Sequence, residues 1–263
     1  NLEPGKTYDI YAEFYDKANN DSSAIILKDV ETLPKPLNAA SVNIERISQE
    51  NKKDKFKISW VPPEGNYSGI YITGTGIDNV VLDSNGMHEY TIENFNLSYD
   101  IKYTYEFYTT KGRGLNDEDR SATSVTKTIW TRPKAISLSD SLNVSLSYPR
   151  IVITTSNALS MKVYYKKSTE AEYGNPEIVT TSANINSTRT IGNLEPATSY
   201  DIKITRYNST SGLESDPIYY KNKYTAPAKP ENLQVATSSN TTKASALLTW
   251  TAPAGNFDSY TIE

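Results

Sequence analysis

Few side chains in this sequence could take part in catalysis or hold a metal ion. The 263-residue chain contains no cysteine and a single histidine, His88, which argues against thiol chemistry, cysteine-ligated zinc and histidine-rich metal sites. A Ser-His-Asp triad would have to be built around His88 with Asp83 and Ser84 near a predicted hairpin, and no nucleophile elbow accompanies them. We therefore predict no catalytic residue, no cofactor and no metal ion in this segment.

The charged residues give no sign of nucleic-acid, calcium or membrane binding. The run Asp117-Glu118-Asp119 lacks the ligand spacing and glycine of a dedicated calcium loop. A net charge of −4 provides no long-range basic field for nucleic acid. No apolar run approaches the ~18 residues of a membrane span, so we expect this segment itself to make no membrane contact.

Seven Asn-x-Ser/Thr sequons are candidate N-glycosylation sites, and nearly all fall in predicted turns or at strand ends. Their asparagines are Asn20, Asn66, Asn96, Asn143, Asn186, Asn208 and Asn240. This placement favours an extracellular, glycosylated protein. The alternative interpretation is that the sequons occur by chance.

The elements that must position these residues repeat along the chain. Asn-Leu followed, six residues after the Leu, by Tyr occurs three times, with leucines 95 and 97 residues apart. The three pairs are Leu2/Tyr8, Leu97/Tyr103 and Leu194/Tyr200. In the middle copy Tyr99 competes with Tyr103, and we assign Tyr103 because Asn96-Leu97 then falls in register.

Two further phrases repeat with the same period. Trp60 and Trp250, which each open the phrase Trp-x-x-Pro-x-Gly-Asn, lie 190 residues apart, and the position midway, near Thr155, has neither the Trp nor the Pro-Gly loop. Thr-x-Pro occurs at residues 32–34, 131–133 and 225–227. The three signals agree on a repeat of about 95 residues.

Each repeat has the pattern of antiparallel β-strands. Alternate residues from Tyr103 onward are large and aromatic while those between them are polar, which is the period of a half-buried strand. Turn clusters separate such runs at intervals of roughly ten residues. No segment has a sustained helical stripe, so the sequence predicts an all-β fold.

These features resemble the fibronectin type III module over the whole chain. The resemblance rests on the repeat length, the Trp on a second strand, Leu-x5-Tyr before a penultimate strand, and the Thr-x-Pro junction. It implies immunoglobulin-like β-sandwiches arranged end to end, with a tryptophan across the core and a tyrosine corner that ties a turn to nearby backbone. The residues implied in these structural roles are Trp60, Trp250, Tyr8, Tyr103 and Tyr200.

The resemblance divides the chain into four segments. We predict the last two strands of a partial module at residues 1–33, complete seven-stranded modules at 34–132 and 133–226, and the first three strands of another module at 227–263. The module at 133–226 lacks the tryptophan. We expect Met161, Val163 and Tyr165 to fill its core instead.

Modules of this family often bind partners through the loop between the last two strands, here residues 111–120. The charged candidates in this loop are Lys111, Arg113, Asp117 and Glu118. On the sheet that carries those strands, four tyrosines are expected to point outward, as interface residues or as cross-strand pairs. They are Tyr71, Tyr108, Tyr164 and Tyr207. An ordinary polar hairpin tip is the alternative interpretation of the loop.

Four lysines fall within residues 51–57. Such a cluster protects a strand edge from aggregation and keeps a protein soluble. A glycosaminoglycan or another acidic partner is the alternative interpretation.

The function that best fits is an extracellular array that serves as stalk and protein-binding region of a cell-surface receptor. The absent cysteine, the loop Trp-x-x-Pro-x-Gly-Asn-[Tyr/Phe] and the Thr-x-Pro junctions look most like the ectodomain of a receptor-type protein tyrosine phosphatase. Its catalytic domain would lie elsewhere in the parent protein. The alternatives are a cell-adhesion or matrix protein and the spacer modules of a secreted microbial glycoside hydrolase.

The junction at Thr131-Arg132-Pro133 leaves almost no free chain, and proline restricts both its own backbone and that of its predecessor. We expect a stiff end-to-end rod in which Trp130, Arg132 and Pro133 form a small interface between modules. Small-angle scattering checks this expectation, and a broad spread of inter-module angles would contradict it.

Overall fold

The structure, a computed structural model, divides into two compact units, Asn1–Arg132 and Pro133–Glu263. It describes residues 1–19, 21–49, 52–83, 86, 88–92, 97–112, 116–182, 187–240, 243–255 and 257–262. Among these residues the helical elements are three short 3-10 segments, Ala39–Ser41, Asp117–Asp119 and Leu138–Asp140. Nearly all regular structure is therefore β-strand.

The first unit contains a two-stranded hairpin followed by a seven-stranded sandwich. The hairpin strands are β1 (Thr7–Asp16) and β2 (Asp21–Glu31). The sandwich strands are β3 (Asn43–Ile47), β4 (Lys55–Ser59), β5 (Gly69–Gly74), β6 (Ile77–Asp83), β7 (Glu89–Ile92), β8 (Lys102–Thr110) and β9 (Val125–Trp130). One sheet has the order β3-β4-β7 and the other β6-β5-β8-β9, with antiparallel pairing throughout.

The second unit contains a sandwich of the same topology followed by a hairpin. The sandwich strands are β10 (Asn143–Ser147), β11 (Arg150–Thr155), β12 (Ser160–Lys167), β13 (Glu177–Thr180), β14 (Ser187–Ile191), β15 (Ser199–Arg206) and β16 (Ile218–Tyr224). Its sheets have the orders β10-β11-β14 and β13-β12-β15-β16. The hairpin strands are β17 (Glu231–Asn240) and β18 (Lys243–Thr251). The prediction of tandem β-sandwiches is confirmed, while the exact module boundaries stay a prediction.

The last segment has two strands where the sequence predicted three. The described residues 257–262 form no strand. Tyr260 instead packs its ring against Trp250 and Phe257, with centroids 4.8 and 5.0 Å away.

The core of each sandwich lies between its two sheets and is built from the inward alternate residues of the strands. In the first sandwich, Trp60 is 4% exposed and packs with Phe56, Ile58, Ile70 and Ile72, among others. Pairing Asn43 with Ser59 and Asn143 with Thr154 makes Thr155 the counterpart of Trp60.

The second sandwich closes its core without a tryptophan. Thr155 is 2% exposed, and its hydroxyl donates to the Asp140 carbonyl at 2.8 Å. Met161 and Val163 are fully buried, and Tyr165 packs against them. These are the three residues that the sequence predicted to fill this space.

The three Leu-x5-Tyr sequences adopt the same hydrogen-bonded turn, which we name the corner turn (residues 3–7, 98–102 and 195–199). In each, the tyrosine hydroxyl accepts the backbone N–H five residues earlier, at 2.8 Å for Tyr8, 2.7 Å for Tyr103 and 3.0 Å for Tyr200. Tyr103, not Tyr99, makes this bond. The tyrosine therefore fixes the path of the chain into the penultimate strand.

The threonine of each Thr-x-Pro closes the corner turn from the other side. The Thr131 hydroxyl donates to the Ser98 carbonyl at 2.7 Å and accepts the Ile101 N–H at 3.0 Å. Thr32 and Thr225 make the equivalent pairs of bonds in the other two copies. Through these hydrogen bonds the threonine ties the C-terminal end of a module to the corner turn of the same module.

Replacing Tyr103 with Phe should lower the free energy of unfolding of the first sandwich by about 1 kcal/mol, because the Ser98 N–H loses its acceptor. Urea unfolding followed by tryptophan fluorescence measures the change, since Trp60 and Trp130 belong to this sandwich. Tyr99→Phe, at a half-buried tyrosine that does not make this bond, is the control and should change stability little. Equal losses in both variants would contradict the assigned corner.

Candidate protein-interaction site

The outer face of the four-stranded sheet in the second sandwich carries a polar network centred on Glu214. Along β12, Met161 and Val163 face the core, so the alternating Lys162 and Tyr164 face outward. The carboxylate of Glu214 accepts from the Tyr164 hydroxyl and from the Lys162 ammonium, each at 2.8 Å. The hydroxyl of Thr205, on β15, donates to its second oxygen at 2.8 Å.

This network shifts the pKa values of its members in opposite directions. Burial opposes ionisation of Glu214, but hydrogen bonds from Lys162, Thr205 and Tyr164 outweigh it and hold the Glu214 pKa below its usual value. Burial, together with the hydrogen bond to Glu214, raises the pKa of Tyr164 to about 12. At neutral pH the face therefore holds an ionised Glu214 and a neutral Tyr164.

Lysines cover the tyrosine rings on the same face. The Lys203 ammonium lies 3.7 Å from the Tyr164 ring centroid, and that of Lys162 lies 4.4 Å from the Tyr207 centroid. Such contacts are attractive because the ring face is electron-rich. Tyr164 and Tyr207, predicted as outward-facing interface residues, are half-buried and engaged by their own sandwich.

Tyr71, predicted to point outward either as an interface residue or in a cross-strand pair, contacts residues of its own sandwich. Its side chain faces away from the core, but the Arg120 guanidinium lies 3.6 Å from its ring centroid, and Tyr71 is only 4% exposed. The Tyr108 ring is 6.3 Å away, and its hydroxyl donates to Glu106 at 3.0 Å. Arg120 comes from the loop before β9 and covers the Tyr71 ring. The alternation of residues along the strand could not predict a contact made by a loop.

The loop predicted to bind partners is closed by backbone hydrogen bonds. The Lys111 N–H donates to the Asp119 carbonyl at 2.8 Å, and Glu118 is exposed. Arg113 and the Asp117 side chain lie outside the described residues. Within the described part, Lys111 and Glu118 are the predicted binding residues of this loop.

The sequons differ in their environments. Asn66 and Asn143 are exposed. Asn208 is half-buried, and its side-chain oxygen accepts the N–H groups of Thr210 at 2.7 Å and Ser211 at 3.0 Å. Asn20, Asn96, Asn186 and the side chain of Asn240 lie outside the described residues.

The lysine-rich segment 51–57 contains one buried carboxylate, that of Asp54. Asp54 is 4% exposed and accepts from the Arg132 backbone N–H at 2.6 Å and its guanidinium Nε at 2.8 Å. Arg46 lies 3.5 Å from the same carboxylate and donates to the Trp130 carbonyl at 3.1 Å. Sequence reasoning missed this cluster, although one acid among four lysines just before a strand was the available signal.

Asp54 changes the interpretation of two predicted features. The lysine cluster is not a uniform basic patch, since Lys57 is also paired with Glu89 at 2.6 Å. Arg132 was expected to contact the next module. Its guanidinium donates hydrogen bonds to Asp54 and, at 3.1 Å, to the Gln49 carbonyl, both in its own sandwich.

The described residues hold no group of three or more His, Cys, Asp or Glu side chains placed to bind a metal ion. His88 is exposed, and its carbonyl accepts the Trp60 N–H at 2.9 Å. Ser84 and the Asp83 side chain lie outside the described residues. In the same part of the chain, no helix has the length and apolarity to cross a membrane.

A family model described as a VIN3-like fibronectin type-III domain matches residues 136–220. The match falls on the second sandwich, the one that lacks the core tryptophan. A search of curated protein sequences gives no match.

Solved structures of fibronectin type III arrays are similar to the chain at low identity. The FN1–FN3 domains of chicken CNTN1 are 16% identical over 84% of this chain and 79% of theirs, with a TM-score of 0.35. A two-domain segment of chicken tenascin is 15% identical over 70% and 99%, with a TM-score of 0.34. The central array of RIM-binding protein is 16% identical over 80% and 79%, with a TM-score of 0.26. Scores this low add nothing to the fold that the sheets define.

Replacing Glu214 with Gln should destabilise the second sandwich at neutral pH, and the loss should shrink in acid. A carboxylate with a lowered folded pKa stabilises the fold above its unfolded pKa, about 4.3 for Glu, and this contribution disappears as the pH falls through the folded pKa. Urea unfolding followed by circular dichroism at pH 7 and at pH 3 measures both. Glu172→Gln, at an exposed glutamate, is the control. A wild-type-to-variant difference that is the same at both pH values would contradict the role of the charge.

Replacing Asp54 with Ala should lower the free energy of unfolding of the first sandwich by about 3 kcal/mol, because the two arginines lose their shared carboxylate. Tryptophan fluorescence during urea unfolding measures the loss. Lys52→Ala, at an exposed neighbour, should stay within about 0.5 kcal/mol of the wild type. A loss below about 1 kcal/mol for Asp54→Ala would show that the cluster is not structural.

Proposed function

We propose that this segment is a non-catalytic, extracellular array of fibronectin type III modules that acts as stalk and protein-binding region of a cell-surface receptor. The observation that carries the proposal is how little chain is left free between two closed sandwiches. Thr131 and Arg132 are bonded within the first sandwich, and Ile136 already belongs to the core of the second. Only residues 133–135 lie between these anchors along the chain.

We propose further that the parent is a receptor-type protein tyrosine phosphatase. The support is the loop sequence motif Trp-x-x-Pro-x-Gly-Asn-[Tyr/Phe], together with the direct Thr-x-Pro junctions and the absence of cysteine. Sequencing the complete coding region tests this. A membrane span followed by a tyrosine phosphatase domain supports it, whereas immunoglobulin modules or a glycosidase domain would replace it with an adhesion protein or a microbial spacer.

The proposed protein-binding site is the loop 111–120 of the first sandwich. Tyr71 is covered and Tyr108 is partly engaged, so the exposed Glu118 and the adjacent Lys111 offer the more accessible contacts. Binding of fluorescently labelled chain 1–263 to cultured cells, measured by flow cytometry, tests the site. The double variant Lys111→Ala, Glu118→Lys should bind several-fold more weakly, while Glu172→Lys on the second sandwich should not. Equal binding of all three chains would exclude the loop.

The extracellular assignment predicts N-glycans at Asn66 and Asn208 when the chain is secreted from mammalian cells. Asn66 is exposed, whereas Asn208 already uses its side-chain oxygen in the turn, so we expect higher occupancy at Asn66. Peptide mass spectrometry with and without glycosidase treatment measures occupancy, and Asn66→Gln is the control for site assignment. Both sites unmodified in such cells would favour the microbial spacer.

A further inference from the structure

A corner turn contacts the loop of the following segment at two places in the chain, once in each unit. In the first unit, a Cβ added to Gly65 would lie 2.9 Å from the Pro4 carbonyl oxygen. In the second unit, a Cβ added to Gly255 would lie 2.7 Å from the Pro196 carbonyl oxygen. The same two positions of the repeat therefore meet twice, at a separation that only a glycine tolerates.

Backbone groups make the contact in the first unit. The Asn66 N–H donates to the Gly5 carbonyl at 3.3 Å, and a Cβ on Gly5 would lie 2.3 Å from the Asn66 carbonyl oxygen. Gly5 and Gly65 both have positive φ, 61° and 87°. The neighbouring Lys35–Glu64 ion pair is largely exposed, and such pairs contribute little. Close backbone packing, not charge, thus defines the contact.

The two sequence phrases that meet are present together or absent together. Leu-Glu-Pro at residues 2–4 and 194–196 accompanies Pro-x-Gly-Asn at 63–66 and 253–256. The remaining corner turn, the middle one at residues 98–102, has no proline. The loop that corresponds to Pro-x-Gly-Asn in the module after it, residues 156–159 between β11 and β12, has neither proline nor glycine. This joint presence and loss indicates that the phrases are matched parts of one contact.

We propose that the Leu-Glu-Pro corner turn and the glycine turn, described at residues 64–66 and 254–255, form a repeated docking pair that couples one module to the next. The partner that a Leu-Glu-Pro corner accepts is a following module of this chain whose loop carries Pro-x-Gly-Asn. The glycine before the asparagine is the specificity-determining residue, because any side chain there collides with the carbonyl oxygen of the corner proline. The proposal goes beyond the stalk function and depends on neither a ligand nor a membrane.

The test compares Gly65→Ala with Gly112→Ala in chain 1–263 by residue-resolved amide hydrogen exchange. Gly112 also has a positive φ, 57°, but a Cβ there meets nothing within 4 Å, so it reports the backbone penalty alone. After correction for intrinsic rates, Gly65→Ala should speed exchange of the Asn66 amide at least tenfold while Gly112→Ala leaves it unchanged. Unaltered Asn66 exchange in Gly65→Ala would overturn the proposal.

The second junction supplies an independent repeat of the test. Gly255→Ala should speed exchange in residues 195–198, and Gly212→Ala, with φ 72° and nothing within 4 Å of its Cβ, should not. Tryptophan fluorescence and circular dichroism of each variant verify that the sandwiches remain folded. Should Gly65→Ala unfold the first sandwich, Gly5→Ala approaches the same contact from the hairpin side and carries the test. A response at one junction only would overturn the claim of a repeated docking pair.

Discussion

The corner turn is the constraint on which the rest of each module depends. Its first four residues lie before the ladder of the penultimate strand, so several of their N–H and C=O groups need side-chain partners. One tyrosine hydroxyl and one threonine hydroxyl supply them, in the same geometry in all three copies. Because the threonine follows the last strand, these bonds also fix where each module ends.

One position of the corner turn has a left-handed backbone conformation, which is strained for a non-glycine residue. Gly5, Asp100 and Ala197 occupy the same position, with φ of 61°, 63° and 46°. Their N–H groups donate to the carbonyls of Leu33, Arg132 and Ala226 respectively. A non-glycine residue in the left-handed region costs about 1 kcal/mol or more. The turn is therefore held by its surrounding bonds rather than by local preference, and the same conformation turns the proline carbonyl toward the neighbouring loop.

The two faces of each four-stranded sheet follow different physical rules. The inner face is apolar, and in the second core its residues Met161, Val163 and Tyr165 fill the space where the three-stranded sheet has Thr155 in place of Trp60. The outer face combines tyrosines with cations and a carboxylate, and a buried or half-buried phenol is stable there only because it finds such partners. Tyr71 and Tyr164 have such partners within their own sandwich.

The repeat, the strand pattern and the corner tyrosines could be predicted without a structure because they depend on local spacing. Leu-x5-Tyr, the alternation from Tyr103 and the Thr-x-Pro motif are all short-range. Three contacts came from the folded chain alone: Arg120 covers Tyr71, Asp54 binds Arg132, and Glu214 accepts hydrogen bonds from Lys162, Tyr164 and Thr205. The folded chain also decided that residues 257–262 form no strand. Apart from Thr205, which lies 9 residues from Glu214, the partners in the three contacts are separated in the sequence by between 49 residues, for Tyr71 and Arg120, and 78 residues, for Asp54 and Arg132. The pairing of such distant segments follows from how sheets stack rather than from any local pattern.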